Sequence, residues 1–244
     1  MNTISDNTED LPMLTVSSMS SGYGSARILQ NLSFEVKNQE ILAIIGRNGV
    51  GKTTLMKTLI GGLRLSEGQI EYKGKSIGRL RPSHRAKLGI AYVPQGRGIF
   101  ARMTVAENLL LGKGLGGYHR NPDYDRAYKF FPFLKQRSSQ RAGSLSGGEQ
   151  QQLAIGRVLI GSPELILLDE PSEGVQPNIV QEIGDNIRLL AKQEGLTVII
   201  VEQNLELINS VADRCIVMDK GTIVAHLTSN EIRDPMVAKK YLAI

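Results

Sequence analysis

The chain is 244 residues long, 41% hydrophobic and 22% charged, the make-up of a globular protein of one large domain or two small lobes with a substantial core. Its net charge of +5 is spread along the sequence without a dense basic cluster, so charge alone singles out neither nucleic acid nor an anionic membrane surface. A single cysteine, Cys215, excludes an intramolecular disulfide and a cysteine-based zinc site, and no apolar run is long enough to cross a bilayer.

Residues 1–12 carry Asp6, Glu9 and Asp10 with no Lys or Arg, and read as a disordered acidic tail rather than a secretory leader. Strand-like runs follow at 13–19 and 32–37. Five apolar residues at 41–45 have the character of a strand buried on both faces, and 53–60 reads as a helix. Short β runs recur at 69–73 and 90–93. Between about 96 and 160 strand signals vanish, and helical patterns alternate with Gly- and Pro-containing turns. That stretch predicts a helical lobe inserted into an α/β core. Buried-strand signatures return at 165–168, 197–201 and 215–218, the last holding Cys215 as core filler. Between the first two of these, Ile179, Val180, Ile183, Ile187 and Leu190 share one helical face. Such alternation predicts a mainly parallel sheet with crossover helices. No repeat or heptad is present, which excludes a solenoid or coiled-coil arm.

The strongest signal is Gly46-Arg47-Asn48-Gly49-Val50-Gly51-Lys52-Thr53, the pattern G-x-x-x-x-G-K-[ST] between a buried strand and a helix. Glycines let the backbone curl so that its N–H groups face phosphate oxygens, and the helix N-terminus adds a favourable dipole. Lys52 is then expected on the β- and γ-phosphates and the Thr53 hydroxyl on Mg²⁺. The pattern predicts a nucleoside triphosphate site. A second glycine pattern, G-x-G-x-x-G at 112–117, follows an apparent helix instead of a strand and reads as a flexible surface loop, not a dinucleotide site.

Leu165-Ile166-Leu167-Leu168-Asp169-Glu170 has the form of a partner strand whose polar end projects carboxylates toward the nucleotide. Alone it could equally be an acidic pair capping a strand before Pro171. Beside the phosphate loop, Asp169 is expected to hold Mg²⁺ and Glu170 to orient or deprotonate the attacking water. In Leu145-Ser146-Gly147-Gly148-Glu149-Gln150, Ser146 and Glu149 form a capping box that starts a helix. Two glycines directly after the cap cost helix stability. They suit a backbone that must approach an anion such as a γ-phosphate.

The order of these motifs, 46–54, Gln95, 145–150 and 165–170, resembles that of ABC transporter ATP-binding subunits, over essentially residues 13–242. The resemblance implies one ABC ATPase domain: a phosphate-loop core, an antiparallel β subdomain and an inserted helical subdomain at about 96–160. It implies two subunits stacked head to tail, each ATP lying between the phosphate loop of one (Gly46 through Thr54) and Ser146, Gly147 and Gly148 of the other. Tyr23, on sequence alone an ordinary loop tyrosine, matches the aromatic that stacks on adenine. Gln95, otherwise just a polar residue after a strand, matches the glutamine that touches Mg²⁺ and links the site to membrane subunits. Thr53, Gln95 and Asp169 are thereby the implied metal contacts, and Glu170, Lys52 and Gln203 the catalytic set.

Two positions depart from the family pattern. Gln203 stands where a histidine commonly contacts the γ-phosphate, and a glutamine can donate a hydrogen bond but cannot carry the proton. Gln176 stands where the loop after the catalytic glutamate commonly ends in aspartate. With Glu170, Lys52 and 145–150 intact, a working ATPase is expected. Val201-Glu202-Gln203-Asn204, the run 171–174 and the run 145–151 resemble branched-chain amino acid importers, while 46–51, 93–100 and 173–177 lean toward the urea and short-chain amide branch. The implied partners are a second, related or identical ATPase subunit, membrane permease subunits and, indirectly, a periplasmic solute-binding protein, with no nucleic acid. The implied location is the cytoplasmic face of the cell membrane. The competing expectation is a non-transport ABC ATPase acting on nucleic acid or the ribosome, disfavoured by the single motif set and the absence of a coiled-coil arm.

Overall fold

The computed structural model describes residues 11–115, 122–234 and 236–237. The first ten residues of the expected 1–12 tail lie outside that set. The Leu11 carbonyl already accepts a hydrogen bond from Asn38 Nδ2 at 3.0 Å, just ahead of the first strand.

In chain order, β1 (Leu14–Tyr23) and β2 (Ala26–Val36) form a hairpin, and β3 (Ile41–Ile45) runs through the phosphate loop into α1 (Lys52–Ile60). Next come β4 (Leu65–Tyr72), the short β5 (Lys75–Ser76), α2 (Pro82–Leu88) and β6 (Ile90–Val93). Helices then take over: α3 (Val105–Leu111), α4 (Tyr124–Phe130), α5 (Phe133–Gln136) and α6 (Gly147–Leu159). The chain closes with β7 (Leu165–Asp169), α7 (Pro177–Glu194), β8 (Thr197–Val201), α8 (Leu205–Val211), β9 (Arg214–Asp219), β10 (Thr222–Thr228) and α9 (Ser229–Ile232).

Two sheets result. One is antiparallel, ordered β2-β1-β4-β5; the other is ordered β10-β9-β3-β8-β7-β6 and is parallel except for β10. The period of two in a strand divides each central strand between two cores. Ile41, Ala43 and Ile45 of β3, with Ile166 and Leu168 of β7 and Val198 and Ile200 of β8, pack among the helices. Leu42 and Ile44, with Leu165, Leu167, Ile199 and Val201, pack with α1 and the antiparallel sheet. Every residue of β3, β7 and β8 is therefore buried, the signature expected of parallel strands covered on both faces.

Local chemistry sets the helix ends. Helix α7 begins with Pro177 at its first turn and ends at Gly195 in left-handed backbone (φ 67°), and its Val180, Ile183, Ile187 and Leu190 form the buried stripe. Capping boxes start α3 (Thr104 with Glu107) and α6 (Ser146 with Glu149). Between 96 and 160 the described residues hold no strand, only an isolated bridge between Thr104 and Arg141. Gly112–Leu115 form a 3-10 turn, exposed at Lys113 and Gly114. A Cβ on Gly112 would lie 1.9 Å from the Arg157 carbonyl, so this glycine answers to packing against α6, while Gly116 and Gly117 lie outside the described residues.

Candidate nucleotide site

The carboxyl ends of β3, β7 and β8 converge, as ligand-binding ends of open parallel sheets do. After β3, Gly46 turns under the end of β9: a Cβ there would come within 2.4 Å of the Met218 carbonyl. Gly49 (φ 80°) and Gly51 (φ 109°) hold the left-handed backbone that curls the loop. The loop is propped from behind by the Lys220–Gly221 turn that joins β9 to β10 (φ 44° and 78°). The Gly221 N–H donates to the Val50 carbonyl at 2.9 Å, and its own carbonyl accepts from Gln30 N–H of β2 at 2.9 Å.

Lys52, the first residue of α1, is 5% exposed. Its ammonium donates to the carbonyls of Gly46 (2.8 Å) and Arg47 (3.1 Å) and lies 3.6 Å from Glu170 Oε1. Burial lowers its pKa, opposed by the carboxylates of Glu170, Asp169 and Glu202. The Thr53 hydroxyl donates to Asp169 Oδ1 at 3.3 Å, and the Tyr92 hydroxyl of β6 donates to Asp169 Oδ2 at 2.9 Å. Burial raises the Asp169 pKa above the usual carboxylate value, with these two donors opposing it.

Glu170 is where the groups meet. Its Oε1 accepts from Gln203 Nε2 at 2.9 Å and its Oε2 from Gln95 Nε2 at 3.1 Å. The same Gln203 amide donates to Asn48 Oδ1 of the phosphate loop at 2.7 Å. Glu170 also holds φ 48°, a left-handed conformation disfavoured for a side-chain-bearing residue, with its N–H on the Val201 carbonyl at 2.8 Å. Buried Glu202 fixes Gln203: it accepts from the backbone N–H groups of Ser172 (2.8 Å), Gln203 (2.6 Å) and Asn204 (2.9 Å). Tyr23, 47% exposed at the end of β1, has the Lys57 ammonium of α1 at 6.0 Å from its ring centroid.

Ser146 and the glycines stand apart from this cluster. No hydrogen bond joins Ser146, Gly147 or Gly148 to the phosphate loop among the described residues. Ser146 accepts from the Glu149 N–H at 3.3 Å and donates its own N–H to Glu149 Oε2 at 2.9 Å. Packing gives both glycines a reason the sequence did not suggest. A Cβ on Gly148 would sit 2.6 Å from Ile179 Cγ2 of α7, and one on Gly147 would sit 2.9 Å from the Gly174 carbonyl. Gln176 caps α7 through backbone alone, its side chain making no cap bond.

Sequence reasoning missed four residues here. Glu202 lies within the 201–204 run and Tyr92 just before Gln95, but the sequence assigns neither a role. Their roles arise from burial beside Asp169 and Gln203. Arg97 and Arg157 were invisible as a pair, since only the fold brings α6 against the segment after Gln95.

A phosphate loop at a strand–helix junction, with a strand-end carboxylate on its threonine and a glutamate held beside its lysine, defines a phosphate-loop nucleoside triphosphatase. The family model described as "ABC transporter" matches residues 29–173. The chain is 44% identical to the high-affinity branched-chain amino acid transport ATP-binding protein BraG of Pseudomonas aeruginosa, over 91% of this chain and 98% of the relative. It is 35% identical to the probable branched-chain amino acid transport ATP-binding protein LivF of Archaeoglobus fulgidus, over 90% and 94%. A crystal structure of a nucleotide-free ATP-binding cassette from an ABC transporter superposes with a TM-score of 0.81 at 29% identity, covering 95% of this chain and 99% of the other. The chain belongs to the ABC transporter family, as an ATP-binding and ATP-hydrolysing subunit. Among the described residues, no helix is long and apolar enough to cross a membrane.

Proposed function

We propose that this chain powers import of a branched-chain amino acid through permease subunits, by hydrolysing ATP held between its phosphate loop and the Ser146–Gly148 segment of a second subunit. The observation that carries the ATPase reading is the convergence of Lys52, Gln95 and Gln203 on the two oxygens of Glu170. The names of the relatives support the solute, and a urea or short-chain amide is the rival that the 173–177 run suggests.

Thr53, Asp169 and the Gln95 side-chain carbonyl offer the hard oxygen donors Mg²⁺ accepts when phosphates complete its shell. No cluster of three or more His, Cys, Asp or Glu among the described residues could cage a metal alone, which fits an ion delivered with nucleotide. Bound there, Mg²⁺ would supply neutralising charge to the phosphates.

The chain's own residues do the rest. Lys52 exchanges its loop carbonyls for β- and γ-phosphate oxygens, and the loop N–H groups take the remaining charge. Freed from Lys52, Glu170 orients the attacking water and accepts its hydrogen bond. Gln203 holds Glu170 to the loop through Asn48 and orients without exchanging a proton. Closure on the second subunit excludes bulk water. Exposed Phe100 and Met103, beyond Gln95, offer the surface on which a permease reads this closure.

The test is Glu170→Gln with ATP and Mg²⁺: ATP stays bound, hydrolysis falls by at least about a hundredfold, and the chain, alone or with its sister subunit, sediments as a dimer. A variant that remains monomeric in both mixtures removes the shared-site reading. Uptake of labelled leucine against labelled urea by the reconstituted complex decides the solute.

A further inference from the structure

Three successive residues after Gln95 hold left-handed backbone: Gly96 (φ 75°), Arg97 (φ 70°) and Gly98 (φ 59°). Glycine adopts this freely, whereas arginine does so only when its surroundings over-determine it. Here they do. Arg97 Nη1 donates to Gln150 Oε1 of α6 at 3.0 Å, while Nη2 donates to the carbonyls of Glu173 (3.3 Å) and Gly174 (3.2 Å) in the loop after Glu170. Arg157, also on α6, grips the same turn through the carbonyls of Gly98 (2.8 Å) and Arg97 (3.4 Å).

One planar fork thus joins three segments that meet nucleotide in the proposed reading. On one side lies the loop of Glu170. On the other, Gln150 Nε2 donates to the Leu145 carbonyl at 3.1 Å, immediately before Ser146. Gln95, two residues from Arg97, donates to Glu170 itself. The missing side chain of Gly147 belongs to the same device, because a Cβ there would lie 3.0 Å from Arg97 Nη2. All three acceptors of Arg97 are uncharged, so the contact depends on the geometry of the fork more than on ion pairing.

We infer that Arg97 is a positioning residue for ATP hydrolysis, setting the pose of the α6 N-terminus relative to the loop of Glu170 within one subunit. This rests on the reading of Glu170 and Ser146–Gly148 as halves of nucleotide sites. A chain that closes on a partner must present both halves at a fixed mutual angle, and Arg97 is the side chain that ties them directly.

The experiment compares the full-length chain with Arg97→Ala, Arg97→Lys and Gln150→Ala. Arg97→Ala should bind a fluorescent ATP analogue within about twofold of the parent, because it touches none of the phosphate-loop donors. Its kcat should fall by about tenfold with KM little changed, the loss of a few hydrogen bonds from a charged donor. Arg97→Lys, lacking the fork, should recover only part of the rate. The Arg97→Ala, Gln150→Ala double variant should be no slower than the slower single one, since both cut one link. Hydrogen exchange without nucleotide should quicken at 173–176 and 145–150 in Arg97→Ala and leave the phosphate loop unchanged. Parental turnover with parental exchange in Arg97→Ala would overturn the inference. So would a rate lost only in proportion to folded protein. If Arg97→Ala does not fold, Arg97→Lys and Gln150→Ala carry the same criteria. An inactive parent refutes the functional reading instead, and the exchange comparison still decides whether Arg97 joins the two segments.

Discussion

Gln203, standing where the family commonly has a histidine, is expected to act by hydrogen bonding alone. Its amide donates to both Glu170 and Asn48, so it can align the glutamate with the phosphate loop without itself titrating. Gln203→Ala is expected to lower kcat by about 10- to 100-fold, the worth of a hydrogen bond to a charged group, with nucleotide affinity nearly unchanged. Gln203→His should retain activity and add an inflection to the pH–rate profile near about 6.5, absent from the parent. Asp169 makes the opposite trade. Burial raises its folded pKa above the unfolded value, so its contribution to stability is full below the unfolded value and is lost as pH rises through the raised one. Above the raised value its charge therefore opposes folding. Asp169→Asn, which keeps an acceptor for Tyr92 or Thr53, should melt higher than the parent at pH 7, by about 2–4 °C per kcal/mol gained. The difference should shrink under acid, and hydrolysis should be lost. A lower melting point at pH 7 would refute this account.

Among the elements, α1 is held at both ends. Its first turn is the phosphate loop, and its last carbonyls, of Thr58 and Leu59, accept from Arg85 Nη1 at 2.9 and 2.7 Å. Arg85 also donates to Gly78 and Leu80 carbonyls, and burial lowers its pKa to about 10. Arg85→Met would leave these carbonyls buried without their donor, and should destabilise the chain by about 3 kcal/mol or more in urea unfolding. In Gly148→Ala the added methyl meets Ile179, so α6 must move off α7, and the cost should be about 1–3 kcal/mol. The truncation Ile179→Ala removes the 2.6 Å contact but leaves its Cβ at 3.0 Å, so the double variant should regain only part of the loss. Neither effect was legible beforehand. A fully apolar run of four residues such as 165–168, too short for a helix, reads as a strand buried on both faces. By contrast β10, an edge strand, buries one residue in seven and shows no pattern to read. The local elements of the candidate site were readable where backbone chemistry forces a motif, at Gly46–Thr53, at Asp169–Glu170 and in the capping box. It was opaque where only tertiary contact assigns the role, as for Tyr92, Glu202, Arg85 and Arg97.

At the scale of the whole molecule, alternate residues of β3, β7 and β8 feed both cores, so the two cores share their central strands. Unfolding followed by heat should therefore give one transition by near- and far-ultraviolet circular dichroism alike. Two separated transitions would show that the antiparallel sheet melts alone. Cys215 of β9 is buried in the core that holds the helices, and burial pushes its thiol up to about 12, so alkylating reagents should label it at the rate of global opening.

The Lys220–Gly221 turn carries a practical consequence. With Lys220 exposed, it looks like a tight corner between two strands where an engineer would graft an epitope or split the gene for permutation. Yet Gly221 is stapled to Val50 on one side and Gln30 on the other, and a Cβ on it would fall 1.8 Å from the Ile28 carbonyl. A graft at this corner should leave the protein folded but deaf to ATP, and isothermal titration of such a fusion would reveal it.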